Sequence, residues 1–334
     1  MILSGDIGGT KTILALYESR EGSLHCTARN SYLSANFASL EEVIVAFLAL
    51  HPTPSLDGAC FGVAGPVHAG TAKLTNLPWV LHETELAQAL RVPKVRLLND
   101  LTAAAYGMLC LRPEEFHALQ GAKELPWEGS IAVVAPGTGL GEAILYFDGS
   151  RYHALPSEGG HTDFAPTNED EIALLQFLRH SIGPHVSYER ILSGVGISTI
   201  DAFFRQAHNL PEPEWLSVQR HTGDPNAAIT QAALEHRDPI CEKSLDLFCH
   251  VLGAEAGNLA LKCMASTVIL GGGIPPKILP GLARDAFLNG FTSKGRFSGL
   301  MRSLPVLVAM NPLAPLLGTS AYLTSSRIHR IDAK

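Results

Sequence analysis

Aromatic residues are scarce, at 7% of the 334, and charged residues reach only 17%. Low charge beside 46% hydrophobic residues excludes wholesale disorder, because large cores can be built. Positive charge is short as well: the formal balance is −7 and the isoelectric point about 6.0. A broad nucleic-acid-binding face is therefore not expected. No basic stretch opens the chain, and Asp6 and Lys11 interrupt its first dozen residues, so no signal peptide is expected. One long uncharged run exists, Leu304 to Ser326, broken by Pro305, Asn311, Pro312, Pro315 and Gly318. It reads as a buried strand, a turn and a packed helix, so no membrane partner is expected. Six cysteines, at 26, 60, 110, 241, 249 and 263, include no C-x-x-C pair. They are expected to be reduced thiols, mostly in cores, in a cytoplasmic protein. There is no G-x-x-x-x-G-K-[ST], and no G-x-G-x-x-G after the first apolar run, which argues against Walker-A and dinucleotide sites.

What the chain does have is length for two domains, 31 glycines and 21 prolines, the make-up of a Gly-punctuated α/β enzyme. Ile2 to Ile7, Thr12 to Tyr17 and Ser23 to Asn30 predict an antiparallel meander, turning at Gly8-Gly9-Thr10 and Glu21-Gly22. Leu40 to Leu50 predicts a helix with Leu40, Val43, Ile44 and Phe47 on one face. Leu56 to Val63 and Lys94 to Leu98 predict strands, Glu83 to Leu90 and Leu101 to Leu109 helices. Residues 129 to 155 repeat the opening: apolar Ser130 to Val134, a Gly-Thr turn, Glu142 to Phe147, then Arg151 to Leu155. This predicts a duplicated three-strand core. Beyond Glu169 the pattern is mainly helical, with a long helix from Pro239 to Met264, strands at Thr267 to Leu270 and Val306 to Met310, and a last helix from Ala314 to Ser325.

Three glycine-rich loops each close an apolar run. They are Gly5-Asp6-Ile7-Gly8-Gly9-Thr10, Gly137-Thr138-Gly139-Leu140-Gly141 and Gly271-Gly272-Gly273. Glycine lets backbone N–H groups approach phosphate oxygens, and a threonine hydroxyl adds a donor. Asp6 at the edge of such a loop could hold Mg²⁺, directly or through water. Read alone, Asp100 is also an N-cap, His161 a loop histidine, Glu189 a helix-start carboxylate and Trp79 a buried structural residue.

The first two loops resemble the two phosphate loops of the sugar kinase, hsp70 and actin superfamily. Val268-Ile269-Leu270-Gly271-Gly272-Gly273-Ile274 resembles its adenosine motif. Four further segments narrow the resemblance: Phe61-Gly62-Val63-Ala64-Gly65-Pro66-Val67, Leu97-Leu98-Asn99-Asp100, Ser157-Glu158-Gly159-Gly160-His161-Thr162-Asp163-Phe164, and Glu189-Arg190-Ile191-Leu192-Ser193-Gly194. In this order they are similar to bacterial glucokinase of the proteobacterial and cyanobacterial type, from residue 2 to about 322.

The resemblance implies a two-domain α/β, ribonuclease H-like fold with an interdomain cleft. The small domain would be 1–104 plus about 312–334, the large one 105–311, hinged near Leu101 to Gly107. It implies ATP-dependent phosphorylation of D-glucose at O6 in glycolysis by a cytoplasmic homodimer. Asp100 would be the base for the C6 hydroxyl. Asn76, Asn99, Asp100, Glu158, His161 and Glu189 would bind sugar, with Trp79 beside Asn76. ATP would meet Gly5, Asp6, Ile7, Gly8, Gly9, Thr10, Gly137, Thr138, Gly139, Gly271, Gly272 and Gly273, with Mg²⁺ on Asp6. Lys11-Thr12 departs from the pattern and looks more like the repressor–open reading frame–kinase family. That family's C-x-C-G-x-x-x-x-C zinc motif is absent, and with four residues before the first loop no helix-turn-helix is expected. Two alternatives remain: a kinase for N-acetylmannosamine, mannose or fructose, and an ATP-gated binding module.

Overall fold

The computed structural model describes residues 1–20, 23–53, 55–74, 77–125 and 128–324. Its strands are β1 (Ile2–Ile7), β2 (Lys11–Arg20), β3 (Ser23–Leu33), β4 (Gly58–Val63), β5 (Val67–His68), β6 (Thr71–Lys73), β7 (Val80–His82), β8 (Val95–Asn99), β9 (Phe116–Gln120), β10 (Ser130–Pro136), β11 (Leu140–Phe147), β12 (Tyr152–Ser157), β13 (Ala265–Leu270) and β14 (Val306–Ala309). The helices are α1 (Leu40–Leu50), α2 (Glu83–Leu90), α3 (Asp100–Met108), α4 (Glu169–Ile182), α5 (Gly194–His208), α6 (Glu214–Thr222), α7 (Pro225–Leu234), α8 (Pro239–Lys262), α9 (Leu279–Leu282), α10 (Asp285–Thr292), α11 (Ser298–Ser303) and α12 (Ala314–Thr324).

The duplication expected from the two Gly-Thr turns is present in the topology. One sheet has the order β3-β2-β1-β4-β8, the other β12-β11-β10-β13-β14-β9. In the first, β1, β2 and β3 form the antiparallel meander, and β4 and β8 continue parallel to β1. In the second, β13 and β14 lie parallel to β10, and β9 closes the edge antiparallel. A third, three-stranded sheet, β5-β6-β7, and the edge strand β9 carried no sequence signal, because their runs are two to five residues long.

Two compact units divide the chain. Unit 1 is Met1–Glu115, Leu145–Pro156 and Asn311–Lys334; unit 2 is Phe116–Ile144 and Ser157–Met310. The expected hinge at Leu101 to Gly107 would cut α3, whereas α3 lies whole inside unit 1. The reason is its packing on α12: Gly318 stands so close that a Cβ there would come within 2.9 Å of the Ala103 carbonyl carbon.

The core of unit 1 gathers Leu3, Ile7, Leu14, Phe47, Phe61 and Leu81. Helix α1 buries Leu40, Val43, Ile44 and Phe47, the stripe its periodicity predicts. Ser39 caps it by accepting the Glu42 N–H, and Glu42 reaches back to the Ala38 N–H. The core of unit 2 is built around α8, whose apolar residues pack on several sides, from Leu245 and Phe248 to Leu252 and Leu259. Strand β4 starts two residues later than expected, β3 runs three residues longer, and α8 stops at Lys262. The Glu21-Gly22 turn and Ser325 lie outside the described residues. All six cysteines are free. Among the described residues no helix is long and apolar enough to cross a membrane.

Candidate active site

In unit 1, β1, β4 and β8 run parallel and in register, so that Ile7 pairs with Val63 and Val63 with Asn99. Their carboxyl ends therefore line up on one edge of the sheet, where open α/β sheets take ligands. The turn after β1 closes with the Gly8 N–H donating to the Lys11 carbonyl at 3.0 Å. Ser34 braces it: its N–H donates to the Thr10 carbonyl at 3.1 Å and its hydroxyl to the Gly8 carbonyl at 2.9 Å. Thr10 is left exposed at the tip. Gly5 and Ile7 lie outside this turn. Gly5 faces the core, where a Cβ would come 2.6 Å from the Phe61 ring, and Ile7 is fully buried.

Asp6 is half-buried near the end of β1. Burial first, and the Asp100 carboxylate second, push its pKa up to about 6 against the pull of Lys11. The two carboxylates thus lie within electrostatic reach, an arrangement a cation would relieve. Asp100 itself is exposed and is the first residue of α3, its Oδ1 accepting the Leu101 N–H at 2.8 Å. The N-cap is Asn99 instead. Its Oδ1 accepts from Leu101 at 3.0 Å and Thr102 at 3.3 Å, and its Nδ2 donates to the Gly65 carbonyl at 3.2 Å. Both acceptor positions of the amide and one of its two hydrogens are used. Asn99 therefore has one N–H left for a ligand, not the donor–acceptor pair its side chain suggests. Trp79 is buried in the core of unit 1. Asn76 lies outside the described residues.

Unit 2 brings Glu158, His161 and Glu189 together. His161 stands between the carboxylates, with Nε2 3.9 Å from Glu158 and Nδ1 4.0 Å from Glu189. Glu158 and His161 are well exposed, Glu189 less so. Two short 3-10 turns carry them, Gly159–His161 and Tyr188–Arg190. The other oxygen of Glu189 accepts the Leu140 N–H at 3.0 Å, tying this cluster to the second glycine loop. A Cβ at Gly139 would lie 3.3 Å from the Glu189 carboxyl carbon and closer still to its oxygen, so a side chain there would displace that carboxylate.

That loop and the third one form one wall of a cavity of about 740 Å³. Thr138, Gly273, Val195, Asn226 and Lys277 are among the residues lining it. Gly194 donates to the Gly137 carbonyl at 2.9 Å and Gly271 to the Val134 carbonyl at 2.9 Å, which fixes the second loop to the start of α5 and the third to β10. Gly272 sits at φ +79°, and a Cβ would overlap the Pro136 carbonyl. Above Gly137 and Gly273 the space is open. A cavity of this size, floored by bare backbone and walled by Ile197, Ile274 and Ile278, suits a nucleoside. The contributions of α5 and α7 escape sequence reasoning: Ser-Gly-Val-Gly and Asp-Pro-Asn announce helix starts, not a shared wall. Among the described residues no group of three or more His, Cys, Asp or Glu could hold a metal ion by itself. Asp6 fits the other pattern, one carboxylate completed by phosphates and water.

A family model described as glucokinase matches residues 3–326. A glucokinase from Nostoc punctiforme is 43% identical, covering 98% of this chain and 99% of that one. The crystal structure of a glucokinase from an Antarctic psychrotroph is 31% identical with a TM-score of 0.85, covering 96% of this chain and 98% of that one. The crystal structure of a ROK family glucokinase from Streptomyces griseus, in complex with glucose and AMPPNP, is 20% identical with a TM-score of 0.64, covering 96% and 98%.

Proposed function

The chain belongs to the glucokinase family, and from that premise we propose that it transfers the γ-phosphoryl group of ATP to O6 of D-glucose. The observation that carries this reading is the Glu158–His161–Glu189 cluster hydrogen-bonded through Glu189 to the Gly139–Leu140 loop. It ties a hydroxyl-binding set to a phosphate-binding loop. The Streptomyces griseus protein, whose structure holds glucose and an ATP analogue, supports the same pair of substrates.

Glu158 and Glu189 accept hydrogen bonds from ring hydroxyls, and His161 between them donates or accepts at a third. A sugar with one inverted centre leaves a polar group unpaired in such a set, which is how it is rejected. The adenosine lies in the cavity of unit 2, with Gly137, Thr138, Gly139, Gly271, Gly272 and Gly273 along the phosphates. Gly8, Gly9 and Thr10 supply the second phosphate turn. Asp6 would hold Mg²⁺, directly or through water, where the cation would supply neutralisation of phosphate charge. Asp100 takes the proton of the C6 hydroxyl. The amino end of α3 favours its ionised form, and a loose transition state needs only a weak base there. A cytoplasmic homodimer serving glycolysis belongs to the same proposal on family resemblance.

The test is a coupled ADP assay with glucose, N-acetylmannosamine, mannose and fructose, alongside Asp100→Ala. Glucose should give the highest kcat/KM. Asp100→Ala should lose about 10²–10⁴ in kcat while calorimetry still detects glucose binding. Near-normal turnover in that variant would remove Asp100 from the role. A better hexose would reassign the substrate, and ATP hydrolysis indifferent to sugar would favour an ATP-gated binding module.

A further inference from the structure

Of the acidic side chains fully buried in unit 2, Asp201 is paired with Arg205 and Glu171 with His250; two others face one another and take no part in the scheme above. Glu142 on β11 is 1% exposed and Glu255 in the middle of α8 is 0% exposed. The carboxyls face each other within hydrogen-bond reach, yet Oε1 of each has no hydrogen-bonding partner. Two ionised carboxylates cannot satisfy one another, whereas one proton shared between them supplies the missing donor.

Their neighbours give the pair a task. Glu142 Oε2 lies directly under Gly159, where even a Cβ would overlap it. The Glu142 carbonyl accepts the Ser157 hydroxyl at 3.0 Å, and Ser157 Oγ accepts the Gly159 N–H at 3.1 Å. Gly159 accepts the Thr162 hydroxyl at 2.7 Å, and Thr162 accepts the Tyr188 N–H at 3.1 Å. From the other side, Asn258 donates to Glu255 at 2.9 Å and to the Tyr188 hydroxyl at 3.1 Å. The contacts close into a ring that carries both turns of the hydroxyl-binding cluster.

We propose that Glu142 and Glu255 are positioning residues: by sharing one proton they hold the Glu158–His161 and Glu189 turns in the geometry that binds the sugar. This rests on the sugar-binding reading of that cluster. Burial, and then the Glu255 charge, push the Glu142 carboxyl up to about 8. The charged groups around the pair are Lys262, 3.7 Å from Glu255 Oε1, and Lys294, which bonds Asn258 at 2.7 Å; the Tyr188 hydroxyl, pushed up by burial, stays neutral beside them. Glu171, paired with His250, acts on Lys294 from α4. Above pH 8 the shared proton leaves, and repulsion between the carboxylates pushes on Gly159.

The test measures KM for glucose and for ATP between pH 6.5 and 9.5 in the intact enzyme, Glu142→Gln and Glu255→Gln. In the unaltered enzyme the glucose KM should rise about tenfold from pH 7 to pH 9 while the ATP KM stays level. Glu142→Gln keeps a neutral group of the same shape and should hold the glucose KM flat over that range. A level glucose KM in the unaltered enzyme, which needs no variant to fold, overturns the proposal. So does a rise that persists in both glutamine variants, which would assign it to Lys294 or another group. Absence of glucose phosphorylation at every pH would instead overturn the functional reading itself.

Discussion

Replacing Asn99 by alanine removes three hydrogen bonds at the start of α3. The Thr102 N–H loses its cap, the Leu101 N–H keeps only Asp100 Oδ1, and the Gly65 carbonyl loses its donor. Loss of a cap costs about 1 kcal/mol. The bond to the carbonyl of half-buried Gly65 adds about 0.5 kcal/mol. The total of about 1.5 kcal/mol lowers the melting temperature of a domain of about 150 residues by about 3–6 °C. Glucose affinity should fall much less than for loss of a donor–acceptor pair, since one N–H is free to meet a hydroxyl; about tenfold is the ceiling for one bond. Asn99→Ser keeps a capping oxygen and should melt within about 1–2 °C of the unaltered protein. Thermal melts with calorimetric glucose titration check both. Asn99→Ala melting like the unaltered protein while losing glucose binding by more than a hundredfold would refute the reasoning and return Asn99 to the sugar.

Three further outcomes follow from the same geometry. The folded-state pKa of Asp6 is raised from 3.8 to about 6, so the stability it contributes is full below pH 4 and is lost as pH rises through 6. Asp100→Asn removes the second cause of that shift and should narrow this window, read by denaturant unfolding between pH 4 and 7; an unchanged window would separate the two carboxylates. Gly139→Ala pushes a methyl onto the Glu189 carboxylate and should raise the glucose KM by about tenfold; unchanged steady-state kinetics would deny the tie between loop and cluster. Gly318→Ala forces α12 from α3 and should cost about 1–3 kcal/mol, seen as a lower denaturation midpoint; a neutral effect would mean the helices separate freely.

Local pattern determined much of this protein. The i, i+3, i+4, i+7 stripe of Leu40, Val43, Ile44 and Phe47 fixed α1 and its buried face, because side-chain spacing along a helix is set by the helix alone. The paired strand–Gly-Thr–strand runs fixed a repeated meander, since turn and alternation are local properties. Which residue does what at the loops was decided only by tertiary contact. Gly5 belongs by sequence to a phosphate motif and by packing to the Phe61 ring. Asn99 and Asp100 are adjacent polar residues, and only the fold assigns the cap to one and leaves the other exposed. The cavity wall from α5 and α7, and the meeting of Glu142 with Glu255 beneath Gly159, join residues tens to more than a hundred positions apart. No periodicity links such residues, because their proximity is produced by the packing of whole elements rather than by the chain between them.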